Sequence, residues 1–206
     1  AVQKTTGGVR GKTTNGIFEL VAYSPHIIRF RFTNKPAFQP LPYALVETAK
    51  PFSDVTVTEH SNLLTVGTSY FQVQLERQPF MRVISKLASG FVLNEDVAGA
   101  GFGTSFIGER WSVYKKIQMG ERFVGLGEAL GNLDRRGTGV SLNNTDTYKY
   151  GDPRLSMYSS IPFYMGFHQN QQYGIFFNNS YPAFFNFGSS TPDIASATFA
   201  GGDVDY

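Results

Sequence analysis

The residues able to do chemistry are unevenly spread along these 206 residues. From Glu128 to Ser160 the chain is polar and glycine-rich, with one brief apolar interruption, and carries Tyr, Asn, Asp and Arg. Those side chains hydrogen-bond and stack on sugars, and they do the same on protein. Composition therefore leaves open both a ligand-facing loop and a surface loop folded on itself. Structureless stretches beyond about 12–15 residues are usually functional or disordered. Arg135 and Arg136 read as side chains that fix this loop by bonding carbonyls or carboxylates. Glu128 offers a carboxylate with no partner evident in sequence. The preceding Gly125-Leu126-Gly127 reads as tight backbone or a bulge, since Gly-x-Gly without a following helix is not a phosphate loop. His26, His60 and His168 are scattered, and each reads as a surface or capping residue rather than half of an acid/base pair. Trp111 is a stacking platform or a partly buried core residue, and the second is commoner for this side chain.

Several chemistries are excluded. There are no cysteines, so neither a disulfide framework nor a cysteine zinc site is available. No acidic run has the alternating spacing of an EF-hand, and no metal or cofactor is assigned. Net charge is +2, and the nearest basic features, Lys115-Lys116 and Arg135-Arg136, are pairs that read as solvated surface. Nucleic-acid binding needs a concentrated basic face and is not expected. No apolar run approaches the roughly 20 residues that span a bilayer, so no membrane partner is expected. A chain beginning at Ala1 rather than Met reads as processed or trimmed.

The elements that must position these residues are strands. Hydrophobic residues make up 41% and charged residues 17%, the balance of a folded domain rather than a disordered chain. Nineteen Phe and eleven Tyr suit a pleated, half-buried surface, and 22 Gly supply turns. Ile28, Phe30 and Phe32 alternate with Arg29 and Arg31, the period of a half-buried strand. Strands are expected at Gly16–Tyr23, His26–Phe32, Val55–Glu59, Leu63–Val66, Phe71–Glu76 and Met81–Ser85, then at Trp111–Gln118, Phe123–Leu126 and Val140–Leu142. Ile161–Phe167, Tyr173–Asn178, Phe184–Phe187 and a last strand near Ala197–Phe199 complete the series. Turn signals stand at Ser24-Pro25, His60-Ser61-Asn62, Gly67-Thr68, Gln78-Pro79 and Asp152-Pro153-Arg154. The prolines of Lys35–Pro42 lack ladder donors and make that segment a loop or an edge. Helical periodicity is absent. The pattern predicts one all-β domain over residues 1–206, an antiparallel β-sandwich, with an exposed, flexible start over residues 1–15. In Phe176-Phe177 and Phe184-Phe185 one ring of each pair should pack inside and the other face a partner surface.

Six segments, in order, resemble family 31 glycoside hydrolases. Glu121–Glu128 is similar to the signature G-E-R-F-x-G-L-G-E, and Leu133-Asp134-Arg135-Arg136-Gly137 to L-D-R-R-G. Asn144-Thr145-Asp146-Thr147-Tyr148 resembles an N-x-D-x-x loop. Tyr158–Tyr164 matches Y-x-S-I-P-F-Y, Tyr173–Ser180 matches Y-G-I-F-F-x-N-S/T, and Gly201–Tyr206 resembles G-G-x-x-D-Y. Each segment is weak alone; the ordered set is specific. It covers Glu121 to Tyr206, while the first 110 residues match only in strand pattern.

The resemblance implies a galactose mutarotase-like supersandwich. It also implies a non-catalytic N-terminal domain of a retaining, α-glucosidase-type enzyme. In this family the two catalytic carboxylates, which retaining chemistry holds about 5–5.5 Å apart, are aspartates on a (β/α)₈ barrel expected after Tyr206. No catalytic residue is therefore assigned here, and the chain alone is expected to be inactive. Residues 128–160 become a substrate-facing loop region in which Asp146 binds an α-linked oligosaccharide together with the barrel, with Tyr148 second. A carboxylate can accept two bonds from neighbouring hydroxyls, and such charge-assisted bonds are the stronger kind. An Asx-turn is the alternative role for Asp146. At the level of the whole chain the alternatives are a stand-alone carbohydrate-binding module, an aldose epimerase and a structural adhesion module. An apolar surface bared by a missing barrel would favour self-association.

Overall fold

The computed structural model describes residues 2–40, 44–45, 49–78, 81–104, 110–146 and 157–206. Eighteen strands and no helix are found among them. The first nine are β1 (Val2–Thr5), β2 (Gly8–Lys12), β3 (Ile17–Ser24), β4 (Ile27–Thr33), β5 (Thr56–His60), β6 (Leu63–Gly67), β7 (Phe71–Glu76), β8 (Arg82–Leu87) and β9 (Val92–Glu95). The rest are β10 (Phe102–Thr104), β11 (Trp111–Lys116), β12 (Arg122–Gly127), β13 (Gly139–Leu142), β14 (Ser160–His168), β15 (Gln171–Phe176), β16 (Ala183–Phe187), β17 (Ile194–Phe199) and β18 (Val204–Asp205).

All pairings are antiparallel and form four sheets. Their orders are β1-β2-β3-β4-β18, β5-β6-β7-β8-β9, β10-β11-β17-β16-β13 and β12-β14-β15. Phe71–Glu76 is a strand over the expected residues, and the last strand, expected near Ala197–Phe199, begins at Ile194. The alternation in β4 is realised: Phe30 and Phe32 are buried, while Arg29 and Arg31 point to the other face. The Asp152-Pro153-Arg154 turn lies outside the described residues.

One core joins the four sheets. Phe18, Phe30, Phe123, Phe185 and Phe187 are its largest fully buried side chains. Aromatic contacts cross from sheet to sheet. Phe32 meets Trp111 edge-on at 5.7 Å, Phe123 stacks on Phe187 at 4.6 Å, and Phe177 lies 5.4 Å from Tyr206. Such pairs add about 0.5–1.5 kcal/mol each beyond area burial. Trp111 is thus a core residue, 4% exposed. Phe185 and Phe177 are the inward members of their pairs, while Phe184 stays exposed.

Two expectations are corrected. The first fifteen residues are exposed at many positions, as expected, but they are not a loose start: β1 and β2 pair with each other, β2 pairs with β3, and Val9 is fully buried. The basic pairs are not simply solvated surface either. Lys115 is buried 2.7 Å from the fully buried Asp96, whose other oxygen accepts the Val83 amide at 2.8 Å. Arg135 is likewise buried.

Candidate functional site

The polar region begins at a bulge. β12 and β14 pair in register up to Gly125–Tyr164, then shift between Gly125 and Gly127. Both glycines and Leu126 adopt positive φ. A Cβ on Gly125 would lie 2.5 Å from the Phe163 carbonyl oxygen, so glycine is required. Beyond the bulge the chain is held by Asp134-Arg135-Arg136. Asp134 accepts the amides of Phe123 (3.2 Å) and Arg136 (3.0 Å). The Arg135 guanidinium donates to the carbonyls of Leu130 (2.6 Å) and Ala129 (2.8 Å), and Arg136 donates to that of Glu121 (2.7 Å). Both arginines therefore fix the loop, as their types and setting predict.

β13 then carries the chain out along β16, ending on the Leu142–Ala183 pair. Asn143, Asn144, Thr145 and Asp146 leave the sheet and are exposed. The Thr145 amide donates to the carbonyl of the buried Met157 at 3.4 Å, tying the loop to the segment entering β14. Asp146 thus stands in solvent on an anchored loop; Tyr148 lies outside the described residues. On the β14 side, Tyr158, Ile161 and Phe163 are exposed.

Beneath the loop is a cleft of ≈ 350 Å³, bordered by Leu142, Asn143 and Asn144 and across from them by Asn178, Asn179 and Tyr181. A second cleft of ≈ 170 Å³ lies on the other side of Asn178–Tyr181, against Arg31, Asp203 and Asp205. Asp205 is the hub of a buried polar cluster. It accepts Arg29 Nε at 2.6 Å and Asn178 Nδ2 at 2.8 Å, and Arg31 Nε stands 3.5 Å from its Oδ2. Burial opposes the charge of both arginines. For Arg29 burial is the largest single effect, but the bond and charge of Asp205 together with Tyr23 outweigh it and raise the pKa; for Arg31 burial, joined by the neighbouring Arg29, lowers it. Asp203 accepts the Gln39 amide at 2.8 Å, and Phe38 lies under the Arg31 guanidinium at 4.0 Å. The loop after β4 is thereby fastened to the C-terminal segment.

His168 is corrected: it is neither a surface nor a capping residue. It is 6% exposed, with Nε2 bonded to the Leu93 carbonyl at 2.8 Å and its ring stacked on Phe91. Glu121, 1% exposed, accepts the Tyr173 hydroxyl at 2.6 Å and the Gln118 amide at 2.7 Å. Both His168 and Glu121 are thus buried, each bonded within the domain.

Residues 17–186 match the family described as the glycosyl hydrolase 31 N-terminal galactose mutarotase-like domain. The chain belongs to this family. It is 28% identical over 193 residues to alpha-glucosidase 2 of Bacillus thermoamyloliquefaciens, covering 93% of this chain but 24% of that enzyme. A GH31 dextranase of Flavobacterium johnsoniae, solved as a mutant complexed with isomaltotriose, superposes with a TM-score of 0.85 at 27% identity. That match covers all of this chain and 25% of the dextranase. A GH31 alpha-xylosidase from a soil metagenome, complexed with xylose, shares the fold with a TM-score of 0.78 at 17% identity. The chain thus spans about a quarter of the length of its first relatives.

In this GH31 N-terminal domain five of the six sequence segments converge, the third running beyond the described residues. Glu121–Glu128 contains β12, bonded through Phe123 to Arg135 of the next segment. The segments from Tyr158 and Tyr173 are β14 and β15, paired side by side. Asn178 and Asn179 hold the last segment through Asp205 and Gly201. Sequence reasoning missed Tyr181, Gln39 and the Arg29–Arg31–Asp205 cluster as neighbours of the site. The Asn-Asn-Ser-Tyr-Pro turn signal after β15 marked the first, and Asp205 stands in the Gly201–Tyr206 segment; nothing local marked Gln39 or Arg29, whose partners Asp203 and Asp205 lie more than 160 residues away.

Proposed function

We propose that this chain is the non-catalytic sandwich of an α-glucosidase-type glycosidase, packing on a (β/α)₈ barrel and lending its 128–160 region to the sugar pocket. Asp146, with Tyr148, makes the sugar contact. The observation that carries this reading is Asp146 itself: an exposed carboxylate one residue beyond the Thr145–Met157 backbone bond, in a domain that also exposes Tyr158, Ile161 and Phe163. A carboxylate so placed can accept two vicinal hydroxyls, and the apolar side chains give a second domain something to bury. Relatives four times as long, one of them complexed with isomaltotriose, support it. Without the barrel the same apolar face drives self-association.

The test is Asp146→Ala in the full-length enzyme. Loss of one or two charge-assisted bonds, about 1.5–3 kcal/mol, lowers kcat/KM by roughly 10- to 100-fold. Unchanged kcat and KM remove the assignment. The 206-residue chain alone should release no glucose from maltose or p-nitrophenyl α-glucoside; release that depends on the protein overturns its non-catalytic role.

A further inference from the structure

The two clefts meet at Tyr181, a 43% exposed ring on the turn after β15. Its position is fixed from behind. Gly201 leaves room for the ring, since a Cβ there would come within 2.8 Å of it. The Tyr181 amide donates to Asn179 Oδ1 at 2.9 Å, and Asn179 Nδ2 donates to the Gly201 carbonyl at 2.9 Å. One face of the ring is therefore backed by the C-terminal segment while the side chain remains open to solvent.

The larger cleft beside it falls within the usual range of small-molecule sites, about 300–1,000 Å³. Its rim carries the amides of Asn143 and Asn144 and the hydroxyl of Ser180; its floor includes Phe177 and Pro182. Asn178, 7% exposed, sits in the wall common to both clefts, and its Oδ1 has no hydrogen-bond partner. Of the charged groups nearby, Arg29 and Arg31 pair with Asp205, and Asp203 accepts the Gln39 amide through one oxygen while its Oδ1 has no hydrogen-bond partner; these line or back the smaller cleft. The larger cleft itself offers a ligand neutral groups: amides, hydroxyls and an aromatic ring. That chemistry suits neither a phosphate nor a cation. It suits a pyranose, whose C–H face lies on a ring while its hydroxyls meet amides at the edge.

We propose that Tyr181 is the platform of a distal sugar subsite, taking a neutral pyranose unit of an oligosaccharide further along the chain than the unit held by Asp146. Continuity supports the order, because Asn143 and Asn144 both line this cleft and lead into Asp146. The proposal rests on the reading of Asp146 given above, and the experiment separates the two.

Tyr181→Ala, Tyr181→Phe and Asp146→Ala are made in the full-length enzyme. Each is assayed with p-nitrophenyl α-glucoside, maltose, maltopentaose and isomaltopentaose. Tyr181→Ala should raise KM roughly three- to tenfold for whichever pentasaccharide the enzyme accepts, leave the two short substrates unchanged, and be rescued by Tyr181→Phe, which keeps the ring. Asp146→Ala should affect every substrate, and its failure to do so counts against the first reading alone. An equal effect of Tyr181→Ala on all lengths, or none on any, overturns the subsite. So does a lowered Tm with an unaltered chain-length profile, which would make Tyr181 a contact between domains.

Discussion

Glu121 shows how burial sets a carboxylate's behaviour one side chain at a time. Burial raises its pKa, and the Tyr173 hydroxyl and Gln118 amide only partly offset that. An acid whose folded pKa exceeds its unfolded one stabilises the fold fully below the ordinary carboxylate range. That contribution is lost as pH rises through the raised value. Glu121→Gln keeps both partners, because the tyrosine hydroxyl can accept from the new amide, but has no charge to bury. The parent should lose Tm relative to this variant as pH climbs from the ordinary carboxylate range toward neutrality; parallel Tm–pH curves would show that burial does not govern this group. Asp96 and Lys115 pose the complementary case. Lys115→Ala strands the Asp96 carboxylate at 0% exposure, and removing one partner of a buried pair costs about 3–5 kcal/mol. Urea unfolding measures it, and Asp96→Asn combined with Lys115→Met should recover most of the loss. Neither group was legible in the sequence. Lys115 looked like half of a surface pair because its partner comes from the segment after β9, nineteen residues back.

At the scale of elements, the Gly125–Gly127 bulge has the most local consequences. It turns the chain out of β12 toward Asp134 and so begins the polar region that leads through β13 to Asp146. Gly125→Ala would place a methyl group against the Phe163 carbonyl at a φ of 132 that side chains disfavour. A loss of about 1–3 kcal/mol is expected, measurable as a lower urea midpoint with an unchanged slope. The bulge was readable from two glycines around one leucine, as was most of the meander from its alternation of apolar and polar residues. β1, β2, β9 and β10 were not. β2 reads Gly-Val-Arg-Gly-Lys, with Val9 as its one large apolar residue, and β10 is three residues long. Such segments become strands through what they pair with, β3 and β11, rather than through a period of their own. The candidate site divides the same way. Asp146, Asp205 and the loop-fixing arginines stand in recognisable segments, whereas Arg31 and Gln39 meet Tyr181 and Asp205 only when distant parts of the chain close.

For the molecule as a whole, the uncovered side chains matter most. Ile161 is 48% and Phe163 38% exposed on neighbouring outward positions of β14. Apolar patches of more than a few hundred Å² tend to find partners. Sedimentation of the isolated chain should show association that strengthens with concentration and is abolished by Ile161→Asp with Phe163→Asp. A strict monomer at high concentration would contradict the proposed role of this face.

β18 also bears on how force and orientation pass through the protein. Its two residues lie flush against β4, the Asp205 side chain is clasped by Arg29, and the Tyr206 ring sits between Phe30 and Phe177 with the Lys115 ammonium above it. Backbone bonds in both directions join Tyr206 to Phe30. A polypeptide continuing from that point would leave the sandwich like a beam set into masonry rather than a rope tied to a ring. Its heading would already be decided, and any twist applied to it would be felt at once in the middle of the core.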